Sequence, residues 1–277
     1  MPTFSAPDGT LLAYHRTGSG APLLCLPGGP MRASAYYGEL GGLAADRSLY
    51  RLDLRGTGGS AVPADPESYR CDRQVGDVEA FRAALGLERV DLLAHSAGAD
   101  LAVLYAAAHP ERIGRLLLVT PAAAALDVEA TVEDRTRAAA LLADEPWYPA
   151  AAAALEATKR GIFDFEGFAP LLYGRWGTAE LAHVAERAEQ LHPEAAQAYY
   201  QDEAFAPAAT RAALAELTAP VLVLAGEYDG APTPARAAEI AAAFPNGEHA
   251  VLPGAGHFPW VGEAGPFLAA VREFLDR

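Results

Sequence analysis

A chain of 277 residues, 51% hydrophobic and 21% charged, has the make-up of a folded globular protein: one large domain, or one domain carrying an insertion. Its formal net charge of −15, from 21 Lys plus Arg against 36 Asp plus Glu, opposes phosphate backbones and anionic membrane surfaces. Nucleic acid and membrane are therefore not expected partners.

Two cysteines, Cys25 and Cys71, supply neither a disulfide framework nor metal-ligand spacing, so no metal and no cofactor is expected. No uncharged apolar run approaches the roughly 20 residues that span a bilayer. The start of the chain, broken by Pro2, Asp8 and Gly9, does not read as a secretion signal, which makes the cytoplasm the expected location.

Taken in chain order, short apolar runs alternate with longer helical stretches, the pattern of a mostly parallel central sheet with helices on its faces. The opening residues, with turns at Gly9 and Gly18-Ser19-Gly20, suit an antiparallel hairpin. Pro22 to Leu26 reads as a buried strand ending in Pro27-Gly28-Gly29-Pro30, and Ser48 to Leu54 as a second, ending in a glycine-rich turn. Apolar Val75, Val78, Phe81, Ala84 and Leu85 recur at helical spacing and predict a helix over 72–87. Arg89 to Ala94 is a third strand, followed by a helix from Ala97 to His109 that Pro110 closes. Further strands are predicted at Ile113 to Thr120, Pro220 to Ala225 and Glu248 to Leu252, with an amphipathic helix from Gly262 to Arg277. Between 126 and 218 strand-like runs vanish and Ala, Glu and Arg dominate. That stretch reads as a helical insertion, and 1–125 with 219–277 as the core.

Ala94-His95-Ser96-Ala97-Gly98 lies directly between a predicted strand and a predicted helix. Small residues on either side of a serine permit a sharp turn that lifts its hydroxyl above the sheet edge, with a helix N-terminus beneath. A serine needs a base to take its proton. Of seven histidines, His257 stands in a loop just past the last predicted strand, where ligands of open parallel sheets gather. His95 adjoins the serine and is expected to pack beneath the turn. A carboxylate must orient the imidazole. Asp229 follows a predicted strand and fits the order Ser, Asp, His, with Glu227 and Asp127 as alternatives. The backbone N–H groups of Ala97 and Gly29 are candidate donors to a developing oxyanion.

With these residues in view, the chain resembles the α/β-hydrolase superfamily over nearly its whole length, and most closely its proline-iminopeptidase-like branch. Pro27-Gly28-Gly29-Pro30, Asp53-Leu54-Arg55-Gly56-Thr57-Gly58-Gly59-Ser60, Tyr105 to Arg112 and Gly256-His257-Phe258-Pro259 carry that resemblance. It implies the α/β-hydrolase fold with a helical lid over 126–218, and an enzyme cleaving a small-molecule substrate through an acyl-serine. Two positions depart from the branch: Pro27 stands where it usually has histidine, and the turn reads Ala-His-Ser-Ala-Gly. Ester, lactone or amide hydrolysis is therefore the leading expectation. An aminopeptidase, a lyase or condensing enzyme using the same residues, and a non-catalytic binding protein are the alternatives. Serine rather than aspartate at the turn argues against the epoxide hydrolase and haloalkane dehalogenase branches.

The lid holds Trp147, Tyr148, Phe163, Phe165, Phe168, Leu171, Leu172, Tyr173 and Trp176, more aromatic surface than a helical linker needs. Trp147, Tyr173 and Trp176 are expected to contact an apolar substrate. For an aminopeptidase, one of Glu186, Glu189, Glu194, Asp202 or Glu203 would bind the substrate's ammonium.

Overall fold

The computed structural model describes residues 1–277 and is built on one eight-stranded sheet. The strands are β1 (Thr3–Ser5), β2 (Leu11–Thr17), β3 (Ala21–Leu26), β4 (Arg47–Leu52), β5 (Val90–His95), β6 (Ile113–Val119), β7 (Val221–Gly226) and β8 (Gly247–Leu252). They lie in the order β1-β2-β4-β3-β5-β6-β7-β8. The β1–β2 and β2–β4 pairs are antiparallel and the rest parallel. Strand β2 is thus more than half a hairpin: it also joins the opening residues to the main sheet.

Side-chain alternation along the central strands sorts the core into two layers. On β5, Leu92 and Ala94 face a cluster of 41 buried residues, while Leu93 faces a second cluster of 20. Helices α1 (Val75–Ala84), α2 (Gly98–Ala108), α9 (Pro207–Leu214) and α10 (Pro234–Ala241) contribute to the first layer. Helix α11 (Gly265–Leu275) covers the second with Phe267, Val271, Phe274 and Leu275, one stripe at helical spacing. Because both faces are covered, the parallel strands read as continuous apolar runs.

The region between β6 and β7 is helical, with α3 (Val132–Ala140), α4 (Tyr148–Thr158), α5 (Phe165–Tyr173), α6 (Thr178–Ala185), α7 (Arg187–Gln190), α8 (Pro193–Tyr199) and then α9. It is not uniform. Leu214 and Leu217, at and after the end of α9, are buried in the 41-residue core, as are Ala195 and Tyr199 of α8. A separate small cluster of Ala139, Leu142, Ala151 and Leu171 holds α3, α4 and α5 together. The stretch 126–218 therefore contains a segment packed as core, and α9 sits against α2. No helix is long and apolar enough to cross a membrane.

Strand order brings the key loops together. Strand β3 lies between β4 and β5, so the chain moves out to one side of β3 and returns on the other. The gap beyond the carboxyl ends of β3 and β5 is the topological switch point, where open α/β sheets bind ligands.

Candidate active site

Ser96 follows β5 with φ of +51°, in the left-handed region. A non-glycine residue there carries about 1–3 kcal/mol of strain, which the surroundings must hold in place. The neighbours do so. Ser96 N–H donates to Val119 O at 3.2 Å, and Ser96 O accepts from Ala99 N–H at 2.9 Å and Ala122 N–H at 3.0 Å. Two glycines make the close packing feasible. A Cβ on Gly98 would sit 2.5 Å from both Leu26 O and Pro27 O, and one on Gly28 would sit 2.8 Å from Ser96 Cβ. Alanine suffices at position 94, fully buried in the core.

His257 reaches the same place from the loop after β8, and Asp229 from the turn after β7. Their side chains meet, with His257 Nδ1 2.8 Å from Asp229 Oδ2. Asp229 is only 1% exposed, and its Oδ1 accepts Ala231 N–H at 2.9 Å, which fixes the carboxylate plane. The two other candidate acids lie elsewhere. Glu227 is exposed and accepts Gly254 N–H at 2.8 Å, whereas Asp127 is exposed after a short 3-10 turn. Ser96 and His257 share one cavity wall, and no hydrogen bond joins their side chains. In free enzymes such contacts are often long and tighten when substrate binds.

His95 packs beneath the turn and links two loops. Its Nε2 lies 3.0 Å from His257 O, so this nitrogen must carry the proton and donate. Its Nδ1 accepts from the Tyr36 hydroxyl at 2.8 Å, and that hydroxyl accepts Gly28 N–H at 2.9 Å. Burial holds His95 well below the usual histidine range and pushes the Tyr36 hydroxyl up, so both are neutral as this pattern needs. The Thr120 hydroxyl also donates to His257 O, at 2.8 Å. The loop after β3 and the loop carrying His257 are thus tied through one buried imidazole. Tyr36 and Thr120 have no motif of their own in the sequence.

The N–H groups of Gly29 and Ala97 have no acceptor within the protein, unlike that of Gly28. Gly29 has φ of +124° and is exposed beside the serine turn. The glycine-rich turn after β4 is a buttress for this region. Asp53 Oδ1 accepts Ser34 N–H at 2.9 Å and the Ser34 hydroxyl at 2.7 Å, and Oδ2 accepts Gly59 N–H at 2.9 Å. Arg55 grips Asp77 of α1 through two nitrogens, at 2.5 and 2.6 Å. No group of three or more His, Cys, Asp or Glu side chains is arranged to hold a metal ion.

The cavity has a volume of about 520 Å³ and is lined mainly by apolar side chains, Leu155, Phe163, Phe168, Leu171 and Leu172 among them. Trp147, Tyr173 and Trp176, the aromatics expected to touch substrate, do not line it. Helix geometry explains the difference. Phe168, Leu171 and Leu172 are spaced i, i+3, i+4 on α5 and share the face turned to the cavity. Tyr173, five residues on from Phe168, points about 140° away at roughly 100° per residue. It stacks on Phe258 with ring centres 5.0 Å apart and hydrogen-bonds His183 Nδ1 at 2.6 Å. Trp176 lies against Tyr173, and Trp147 packs on the small α3–α5 cluster. The two cationic residues of the lining, Arg135 on α3 and Lys159 after α4, are among those that escaped the sequence reading.

A family model described as the alpha/beta hydrolase fold matches residues 21–263. The chain belongs to the α/β-hydrolase family. A proline iminopeptidase from Heyndrickxia coagulans is 27% identical over 278 aligned residues, covering 95% of this chain and 93% of that protein. Among solved structures, an esterase from Rhodococcus sp. ECU1013 superposes on this α/β hydrolase with a TM-score of 0.73 at 26% identity, covering 99% and 98% of the two chains. An enol-lactonase from Burkholderia xenovorans LB400 shares the fold with a TM-score of 0.69 at 24% identity and full coverage of both chains. Proline-iminopeptidase-like proteins are therefore among its relatives, and esterases share its architecture.

Proposed function

We propose that this α/β hydrolase cleaves an ester, lactone or amide of a small, largely apolar substrate through an acyl-serine intermediate. The observation that carries the reading is the 2.8 Å Asp229–His257 contact beside a strained Ser96, all on one apolar cavity. In this reading Ser96 Oγ attacks the substrate carbonyl while His257 Nε2 takes the hydroxyl proton. Asp229 keeps the imidazole in the tautomer with Nδ1 protonated and stabilises the imidazolium that forms. Gly29 and Ala97 donate to the oxyanion, and removing one such donor typically costs about 10²–10³ in rate. Collapse of the tetrahedral intermediate breaks the bond to the leaving group, which takes the proton from His257. A water molecule then loses its proton to His257 and attacks the acyl-serine; collapse breaks the bond from the acyl carbon to Ser96 Oγ, which takes the proton back from His257 as the acid product leaves. The helices between β6 and α9 act as the lid that shapes the acyl site.

The full-length likeness to a proline iminopeptidase favours a second reading, aminopeptidase activity. The cavity speaks against it. An ammonium needs a free carboxylate, and Asp229, the one acid in the lining, is already held by His257 and Ala231. Glu186, Glu189, Glu194, Asp202 and Glu203 are all exposed and none lines the cavity. The test compares burst kinetics on a p-nitrophenyl ester with turnover of a prolyl amide and its N-acylated form. A burst on the ester with no dependence on a free amine supports the hydrolase reading. Turnover of the free-amine amide alone replaces it with the peptidase.

A further inference from the structure

We propose that Arg135 binds a carboxylate on the substrate, so that the molecule cleaved is an ester or lactone with an acidic group at the end remote from the scissile carbonyl. This rests on the hydrolase reading and names its substrate class.

Arg135 is a cation with nothing to neutralise it. It makes no salt bridge or side-chain hydrogen bond, although the chain has 36 acidic residues against 21 basic ones. The acids that flank it on α3 are engaged. Thr131 and Asp134 form a reciprocal capping box at the start of α3, Asp134 pairs with Arg236 at 3.0 Å, and Glu133 pairs with Arg137 at 2.6 Å. The Asp134–Arg236 pair ties α3 to α10, so the backbone position of Arg135 is set by the fold.

That placement is at the site. Arg135 lines the cavity that contains Ser96 and His257, and its backbone packs over Gly230, the residue after Asp229. A Cβ on Gly230 would come within 3.1 Å of Arg135 Cα and 3.4 Å of its Cγ. Small residues at 230 and 231 thus let the arginine stem settle beside the triad loop. Of the other charged groups in the lining, Lys159 is paired with Glu156 at 2.5 Å and Asp229 is committed to His257. Glu129 shares an adjoining cavity with Arg135 but forms no salt bridge with it. The cavity therefore offers one uncommitted positive charge in a mainly apolar wall.

A guanidinium presents two parallel N–H groups that match a carboxylate. One free cation suits one negative charge. A phosphate dianion would call for a second uncommitted cation, which the lining lacks. Arg135 is solvent-exposed, so screening trims its contribution to about fivefold or less in kcat/KM, below what a buried pair would give.

The experiment compares p-nitrophenyl butyrate with p-nitrophenyl hydrogen glutarate, a similar acyl chain ending in a carboxylate, for wild type, Arg135→Met and Arg135→Lys. The expected result is that the wild type prefers the hemiglutarate and that Arg135→Met lowers this preference about threefold to fivefold, mainly through KM. Arg135→Lys should recover part of the preference, and 0.5 M NaCl should weaken it. Equal losses on both esters, or an unchanged preference in Arg135→Met, overturn the proposal. Glutarate binding to Ser96→Ala and to Ser96→Ala/Arg135→Met is measured in parallel by calorimetry. Arg135-dependent binding in a protein that cleaves neither ester would sink the hydrolase reading and keep the carboxylate site. Glutarate binding that ignores Arg135 would sink the carboxylate site alone.

Discussion

Replacing His95 by phenylalanine tests whether the buried imidazole positions the catalytic loops or merely fills space. The ring is kept, but both hydrogen bonds vanish, those to Tyr36 at 2.8 Å and to His257 O at 3.0 Å. The Tyr36 hydroxyl, buried at 3% residue exposure, still accepts from Gly28 but loses the acceptor for its own proton. An orphaned buried donor costs about 1–3 kcal/mol, and the lost bond to the His257 carbonyl about 0.5–1.5 kcal/mol more. His257 O keeps Thr120, so the loop shifts without detaching. A displacement of about 1 Å at the base is enough for a loss of about 10²-fold. His95→Phe should therefore lower stability by about 2–4 kcal/mol in urea unfolding and cut the acylation rate by about 10- to 100-fold, with KM nearly constant. His95→Gln, whose amide can accept from Tyr36 and donate to His257 O, should recover part of the rate. Tyr36→Phe should combine with His95→Phe less than additively, because both break one chain of hydrogen bonds. If His95→Phe loses stability yet acylates within threefold of wild type, His95 is structural only and the positioning argument fails.

Other perturbations probe different parts of the account. Ser96→Gly should be more stable than Ser96→Ala by about 1 kcal/mol in thermal or urea unfolding, since glycine relieves the +51° φ and alanine does not. Equal stabilities would show that the turn stores no strain. Gly98→Ala should destabilise by about 1–3 kcal/mol or prevent folding, as its Cβ has carbonyl oxygens at 2.5 Å and no flexible neighbour to yield; a wild-type melting temperature would refute the packing. Burial raises the Asp100 carboxyl to about 7, although Ala125 N–H and the Tyr200 hydroxyl bond to it. Its native form then holds a proton that the unfolded chain releases near the usual carboxylate pKa, so its contribution to stability falls as pH rises from about 4 to 7. Asp100→Asn should gain on wild type across that window by a few kcal/mol, and a difference that stays flat with pH would contradict the burial argument.

The strands were legible because a parallel sheet buried on both faces must be made of short apolar runs. Leu23 to Leu26 and Leu222 to Leu224 could hardly be anything else, and their predicted bounds lie within a residue or two of β3 and β7. Position past a strand end likewise brought Ser96, Asp229 and His257 into view, since the carboxyl edge of such a sheet is a geometric consequence of its topology. Four things were not legible. The order of strands, which sets Gly28 beside Ser96, depends on crossovers that no local pattern encodes. Helix α10 and the core packing of α9 are held by tertiary contacts of residues such as Ile240 and Leu214. The lid aromatics were misjudged because aromatic content cannot tell a side chain that faces a cavity from one packed between helices. Tyr173 and Phe168 sit on one helix and face different ways. Arg135 was hidden for the opposite reason: among many charged lid residues, only its missing partner sets it apart, and partners are seen only in three dimensions.

The central claim is that Ser96 is a nucleophile driven by the His257–Asp229 pair. It is tested most directly by treating the protein with a fluorophosphonate and locating the adduct by peptide mass spectrometry. The account predicts stoichiometric modification of Ser96 with parallel loss of esterase activity, no adduct in Ser96→Ala, and labelling slowed by about 10³-fold or more in His257→Ala, since the base and nucleophile act as a unit. An active protein whose adduct lies on another residue, or a Ser96 that labels equally fast without His257, would contradict it.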